Sequence, residues 1–140
     1  MEPYDENQIN SDDVVIRRIN PQQHIVWDEN RGCSRISSKA FSPSSGPRDG
    51  MSVDIEQLMI SDGIDPRQYV TTPVFTGSVA FSAGAARALG LLVGYDPVPP
   101  NPYHGEVWGG SRPNRFSRRQ KEGLAEGSRW YVELDGVEIV

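Results

Sequence analysis

The sequence predicts a single small α+β domain with a mostly antiparallel sheet of short strands and two or three short helices. Its 140 residues are enough for one domain with a buried core. The 14 glycines, the 11 prolines and a hydrophobic content of 36% indicate many turns between short elements. Runs of β-branched and aromatic residues recur between these turns, which favours paired strands as the main architecture.

The strands are predicted from β-branched and aromatic runs that end at turn residues. They are 14–19, 24–27, 33–41 (a strand running into a loop), 74–81, 91–95, 104–108, 129–134 and 137–140. Asp135-Gly136 is a strong hairpin signal, so the last two strands are predicted to pair with each other. An extended loop is predicted from 96 to 102, where four prolines exclude regular pairing.

Helices are predicted over 51–62, 83–89 and 116–126, with one further turn over 66–69. In the first helix, Ser52 is expected to be the N-cap, and Ile55, Leu58 and Met59 share a face at helical spacing. Residues 1–13 are acidic and polar and are predicted to be a flexible tail, so the domain is expected to span 14–140. Mobile loops are predicted near 42–50 and 110–115.

Composition narrows the class of partner and the compartment. The net charge of −5 disfavours a generic nucleic-acid or membrane-surface binder. The single cysteine, Cys33, excludes an internal disulfide and suits a reducing environment. Neither a signal peptide nor an apolar run of about 18 residues is found, which predicts a soluble, cytoplasmic protein.

Strand 104–108 carries the first candidate site. A period of two places His104, Glu106 and Trp108 on one face, with the first two roughly 7 Å apart. His104 and Glu106 are the candidate catalytic residues, as an acid/base pair or part of a metal site, and Trp108 is a candidate for stacking on a ligand. The alternative is an exposed strand face beside the proline loop. Two histidines and one cysteine, all far apart, match no zinc spacing, so no metal or other cofactor is predicted.

The junction between strand 74–81 and helix 83–89 is the second candidate site. Ser82 is the predicted N-cap and Gly84 lies in the first turn, where free backbone N–H groups can bind a phosphate or carboxylate. The chain lacks the glycines and lysine of a P-loop and the glycines of a dinucleotide fingerprint. The alternative is a tight helix junction packed through small residues.

Arg17-Arg18 and Ser37-Ser38 form the third candidate site. With Glu106, they superficially resemble the arginine, serine and glutamate pattern of ADP-ribosyltransferases. The interval from arginine to serine is short, His104 stands where a second acidic residue would be, and the serines do not form an S-T-S triplet, so no family is assigned. The order of motifs from RRINP to GEVWG is also similar to that of small bacterial proteins, but it implies no activity or site. Arg17 and Ser38 remain candidate ligand-binding residues, and the alternative is a half-exposed strand with paired charges.

The basic segment near the end of the chain is the fourth candidate site. It contains Arg112 and the candidate partner-binding residues Arg115, Arg118, Arg119 and Lys121. Because the rest of the chain is acidic, this segment favours an acidic protein partner or self-association over DNA. The alternative is a solvated helix face.

The sequence supports two functional hypotheses. The first is a small cytosolic binding or accessory module, of the immunity or antitoxin kind, that docks on a protein partner or forms a homodimer. The second is an enzyme or sensor of a nucleotide-like or other anionic small ligand, which uses the face of His104, Glu106 and Trp108. The first is favoured because the sequence contains no complete catalytic constellation. The second requires His104 and Glu106 to converge with some of Arg17, Arg18 or Ser38 in one concave site.

Overall fold

The computed structural model describes residues 2–44, 49–110 and 114–140, and it confirms the α+β prediction. The strands in the described residues are β1 (Val14–Ile19), β2 (Ile25–Asp28), β3 (Cys33–Ile36), β4 (Met51–Ile55), β5 (Gly77–Ser82), β6 (Leu92–Tyr95), β7 (His104–Trp108), β8 (Arg129–Val132) and β9 (Val137–Glu138). The helices are α1 (Pro21–His24), α2 (Glu56–Ser61), α3 (Pro66–Val70), α4 (Ala83–Ala88) and α5 (Arg118–Gly127), with a 3₁₀ turn at Ser38–Phe41.

The main sheet has the strand order β6-β7-β4-β1-β5-β8, and every neighbouring pair in it is antiparallel. A second sheet has the order β2-β3-β9, with β3 and β9 parallel. The register between β4 and β7 places Ser52 opposite Glu106 and Asp54 opposite His104. Directly opposed residues project from the same face of a sheet, so this register decides which polar side chains meet.

Apolar residues cover both faces of the main sheet. One face carries the larger core, in which Val15, Val53 and Phe81 pack with residues of α4, α5 and the 3₁₀ turn. The other face carries a smaller core, where Ile16 and Ala80 pack with Met59 of α2 and Val70 of α3. The polar side chains of β4 and β7 lie on this second face, beside the smaller core.

The predicted helix over 51–62 is wrong in its first half. Residues 51–55 form β4, and only Glu56–Ser61 is helical. Met51, Val53 and Ile55 are buried while Ser52 is exposed, which is the period of a strand. Ser52 therefore caps no helix. The helical spacing of Ile55, Leu58 and Met59 was misleading because Ile55 is the last residue of β4 and only the other two lie in α2.

The predicted hairpin at Asp135-Gly136 is also wrong. Val137 donates to the carbonyl of Leu134, and Gly136 has a positive φ of 75°, so a turn does form there. No non-glycine residue in the described part of the chain has positive φ, whereas a type I′ hairpin turn requires it at both central positions. The chain therefore leaves β8, and β9 pairs with β3.

The helix junctions follow the sequence more closely. The Ser82 side chain accepts from the Ala85 N–H at the start of α4, and Gly90, with φ of 83°, follows its end. Asp65 caps α3 ahead of Pro66. Ser117 and Gln120 form a capping box at the start of α5. No helix in the described ranges is long and apolar enough to cross a membrane.

Residues 2–13 contact the domain at several points. Ile9 is buried in the larger core, Arg87 forms an ion pair with Asp5, and the Tyr4 hydroxyl hydrogen-bonds to the backbone of Tyr95. Their predicted flexibility stays a prediction. The mobile loops predicted near 42–50 and 110–115 include residues 45–48 and 111–113, which lie outside the described residues.

His24 makes the stability of this fold depend on pH. Its Nδ1 accepts from the Asn20 N–H at 2.9 Å, and burial, with the nearby charge of Arg17, lowers its pKa from 6.5 to about 4. The folded protein therefore favours the neutral form of His24. The contribution of His24 to the free energy of unfolding is full above pH 6.5 and is lost as the pH falls through 4. From this shift we expect a loss of about 2 to 3 kcal/mol between pH 7 and pH 4.

Denaturant unfolding at pH 7 and pH 4 measures this effect. In His24→Asn, an amide oxygen replaces Nδ1 as the acceptor and cannot be protonated, so the pH-dependent loss should shrink by that amount. Gln23→Asn, on the exposed side of α1, is the matched control and should behave as the wild type. An equal pH dependence in His24→Asn and the wild type would contradict the assignment.

Candidate functional site

Asp96, His104 and Glu106 form a cluster at the edge of the main sheet, which we call the Asp-His-Glu cluster. His104 and Glu106 project from one face of β7, and the antiparallel return of the chain after β6 brings Asp96 beside them. One ligand atom from each of the three side chains lies within 4.8 Å of the other two. The sequence predicted the pairing of His104 with Glu106, but not Asp96, because the contact depends on strand pairing across the proline loop.

The ring of His104 has a fixed orientation within this cluster. Its Nδ1 lies 2.6 Å from the backbone carbonyl oxygen of Asp96, which can only accept, so Nδ1 carries a proton and donates it. Its Nε2 faces Glu106 Oε1 at 3.8 Å. The His104 side chain is 13% exposed, whereas Glu106 is fully buried.

Trp108 does not offer the stacking face expected from the sequence. It is 1% exposed, and its ring packs on Tyr4 with the centroids 5.7 Å apart. Gly94 allows this close packing, since a Cβ there would lie 2.5 Å from the Trp108 ring. The indole is thus part of the covered interior next to Glu106, and it presents no open surface to a ligand.

A cavity of about 200 Å³, which we call the arginine cleft, opens beside His104. Its walls include Arg17, Arg18, Asp54, Phe75, Asn101 and His104. The paired register of β1 and β4 contains only Val15–Ile55 and Ile16–Asp54, so the next residues of the two strands can line a gap. Arg17, Arg18 and His104 line this cavity together, whereas Glu106, which the ligand-binding hypothesis also requires, does not line it.

Arg18 and Asp54 form one wall of the cleft. Arg18 Nε and Nη2 donate to Asp54 Oδ2 and Oδ1 at 2.8 and 3.1 Å. Asn101 Nδ2 donates to the same carboxylate at 2.9 Å, and the Tyr69 hydroxyl donates to Asn101 Oδ1. The charge of Arg18 is therefore matched inside the protein. Asp54 and Asn101 belong to the site without having been predicted, because only the folded sheet brings them to Arg18.

Arg17 is different, because its partners are neutral. Its Nε donates to the carbonyl of Ala40 at 2.7 Å and its Nη1 to the carbonyl of Ser52 at 3.0 Å. Among the described residues no carboxylate forms an ion pair with it. Burial lowers the pKa of Arg17 to about 10, against the opposing charges of Glu106 and Asp54. The cleft thus contains a half-buried guanidinium that stays positive at neutral pH.

The predicted anion site at Ser82 and Gly84 is occupied by the protein itself. The N–H groups of Ala83 and Gly84 donate to the carbonyls of Asp13 and Ser11, and that of Ala85 donates to the Ser82 hydroxyl. A Cβ on Gly84 would lie 3.0 Å from Ser11, which explains the glycine. The first three N–H groups of α4 are therefore committed to internal bonds.

The basic segment contributes to a second concavity, which we call the α5 groove. This groove of about 610 Å³ runs between α5 and the second sheet, and Arg118 and Lys121 line it together with Arg31, Arg35, Ser38 and Phe41. Arg115 is exposed outside the groove, and Arg119 lies beside Leu89 in a separate depression. Arg112 lies outside the described residues. Ser38 is thus placed with the basic segment, and it does not line the arginine cleft.

Comparisons of this chain with protein-family models, with curated proteins and with solved structures find no match.

The two histidines of the chain should differ in which ring nitrogen is protonated. His104 donates through Nδ1, whereas His24 accepts through Nδ1 and must carry its proton on Nε2. Long-range ¹H–¹⁵N spectra of protein labelled at histidine should show a protonated Nδ1 for His104 and a bare Nδ1 for His24 at pH 7. A bare Nδ1 on His104 would contradict the described orientation of its ring.

Proposed function

We propose that the protein binds a small anionic ligand in the arginine cleft. The observation that carries this proposal is Arg17, a half-buried guanidinium whose hydrogen bonds within the described ranges go to the backbone carbonyls of Ala40 and Ser52. Burial of this charge is costly even though Glu106 and Asp54 partly offset the cost, and an anion in the cleft would reduce it further. Arg18 lies next to Arg17 and forms an ion pair with Asp54, whereas Arg17 forms none with a described carboxylate, so Arg17 is the cation expected to bind the anion.

The size and chemistry of the cleft limit the ligand class. A cavity of about 200 Å³ is below the usual range for drug-sized ligands, and it suits a phosphate group or a small carboxylic acid. Phe75 provides an apolar wall for the uncharged part of such a ligand, and His104 lies at the cleft as a polar contact. These features supply binding and orientation, so we assign the protein as a binder or sensor of a small anion.

Docking on a protein partner, which the sequence favours, is the second candidate function. The observation that supports it is the α5 groove, where Arg31, Arg35, Arg118 and Lys121 lie around apolar residues including Phe41. Arg35 is paired with Asp28 and Arg118 with Glu122, which leaves Arg31 and Lys121 as the cations of the groove expected to bind an acidic partner segment.

Cys33 is a free thiol, which supports the cytoplasmic location expected from the sequence.

Titration with inorganic phosphate tests the anion proposal. Calorimetry on chelator-treated protein should show one phosphate site in the wild type. Arg17→Gln should bind about 10- to 100-fold more weakly, because a hydrogen bond to a charged group contributes about 1.5–3 kcal/mol. Acetate and succinate, titrated in parallel, distinguish a carboxylate ligand from a phosphate ligand.

The matched control is Arg118→Gln, which removes the same charge from an exposed position on α5 and should leave the anion affinity unchanged. Circular dichroism checks that Arg17→Gln keeps its fold. Equal affinity in Arg17→Gln and the wild type, or no binding of any of these anions to the wild type, would refute the proposal.

The docking candidate predicts a different pattern of variants. A protein captured from cytosol by the wild type should be lost in the double variant Arg31→Gln/Lys121→Gln and at high salt, because surface charges are screened. Arg17→Gln should capture it as the wild type does. Capture that survives the double variant would remove the α5 groove from consideration.

A further inference from the structure

We propose that the Asp-His-Glu cluster binds one divalent transition-metal ion through Asp96, His104 Nε2 and Glu106. The proposal does not depend on anion binding in the arginine cleft, although His104 borders both sites. It also revises the expectation from the sequence that no metal is bound, which followed from the lack of a zinc ligand spacing although His104 and Glu106 were considered as part of a metal site.

The distances within the cluster fit a single ion. Ligand atoms about 2.0–2.2 Å from a metal are separated from each other by up to about 4.2 Å. His104 Nε2 and Glu106 Oε1 are 3.8 Å apart, and one ligand atom of each of the three residues lies within 4.8 Å of the others. The Asp96 carboxylate lies nearest the other ring nitrogen, with its Oδ2 3.9 Å from His104 Nδ1, so it must turn toward Nε2 to complete the set.

The orientation of His104 is the second argument. Metal-binding histidines usually donate their other N–H to a carbonyl or carboxylate, which fixes the ring and leaves a lone pair for the ion. His104 Nδ1 donates to the Asp96 carbonyl in this way. Nε2 then faces the Glu106 carboxylate at a distance too long for a hydrogen bond. Nε2 therefore keeps a lone pair on the side of the Glu106 carboxylate, and a cation placed between the two atoms would be bound by both.

The indole of Trp108 provides an independent observation. Its Nε1 is buried and has no hydrogen-bond acceptor among the residues that the structure describes. Nε1 and Glu106 Oε2 both lie over Gly50, at 2.9 and 2.7 Å from the position of a Cβ there. This unsatisfied donor therefore lies on the same side of β7 as the Glu106 carboxylate, where a metal-bound water would accept from it.

The donor set indicates the class of ion. One imidazole nitrogen with two carboxylates suits first-row divalent ions such as Zn²⁺, Fe²⁺ or Mn²⁺, whereas Ca²⁺ and Mg²⁺ prefer oxygen ligands alone. Zn²⁺ binds more tightly than Mn²⁺ or Fe²⁺ in the general affinity order, so it is the appropriate probe. The partial exposure of His104 gives the ion a route into the cluster from the cleft side.

The test uses the fact that the chain has only two histidines. Zn²⁺ is added to chelator-treated wild-type protein labelled with ¹⁵N at histidine, in a buffer without phosphate. The Nε2 signal of His104 should shift and saturate at one Zn²⁺ per chain, with Nδ1 still protonated. His24 is the internal control and should not shift, because its Nδ1 accepts from Asn20. No shift at His104, or equal shifts at both histidines, would overturn the proposal.

Variants provide a second measurement. Glu106→Gln should weaken Zn²⁺ binding by at least about 10-fold in calorimetry, since it removes a ligand while keeping the side-chain shape. His104→Asn should do the same, because its amide can still donate to the Asp96 carbonyl but it lacks Nε2. Glu122→Gln removes one negative charge from an exposed position and should bind as the wild type does. Wild-type affinity in both site variants would overturn the proposal, whatever the outcome of the phosphate titration.

Discussion

The antiparallel register between β4 and β7 is the constraint on which the proposed sites depend. It sets Ser52 opposite Glu106 and Asp54 opposite His104 on the same face of the main sheet. A slip of one residue would turn these polar side chains into the larger core and turn Met51, Val53 and Val107 outward. Because those three apolar residues are nearly fully buried, the hydrophobic core itself fixes the register. The same burial that stabilises the sheet therefore places His104 where it belongs to the Asp-His-Glu cluster and also lines the arginine cleft.

The two arginines of β1 differ in their partners. Arg18 forms an ion pair within the protein, whereas Arg17 is the cation that we expect to bind a ligand. Arg18 meets Asp54 in a two-point ion pair, and Asn101 satisfies the same carboxylate further. Such a network compensates the cost of partial burial. Arg17 has no such direct pair among the described residues, because the carbonyls of Ala40 and Ser52 hold its guanidinium, and Glu106 and Asp54 offset its burial without forming an ion pair with it. A preorganised cation of this kind needs little reordering when an anion arrives, which favours binding.

The sequence predicted those features that depend on local chemistry. The alternation along 104–108 correctly placed His104, Glu106 and Trp108 on one face, and Ser82 and Gly90 marked the ends of α4. It failed where pairing is non-local. Buried and exposed residues alternate at the start of 51–55 as in a strand. The helical spacing of Ile55 with Leu58 and Met59 led to the wrong prediction of a helix there. The turn at Gly136 is real, yet its partner strand is β3, about 100 residues away in the chain. Asp54, Asp96 and Asn101 joined the sites only through such contacts.

Some residues lie where the sequence predicted them, but contacts with other parts of the chain make them unavailable to a ligand. Trp108 lies on the predicted face, but Tyr4, from the segment predicted to be a tail, covers it. The same segment supplies the carbonyls of Ser11 and Asp13 that occupy the start of α4. The polar, acidic composition of residues 1–13 predicted little burial, and it gave no sign of the backbone and side-chain contacts that residues 2–13 make with the sheet and α4. No sequence pattern reports contacts of this kind between distant segments.

A crystal structure of the protein grown with inorganic phosphate would show directly which of the two charged sites binds the anion. We predict a phosphate in the arginine cleft, with an oxygen within hydrogen-bond distance of the Arg17 guanidinium and with the Arg18–Asp54 pair intact. A phosphate bound in the α5 groove at Arg31 and Lys121, with the arginine cleft holding only water, would contradict it.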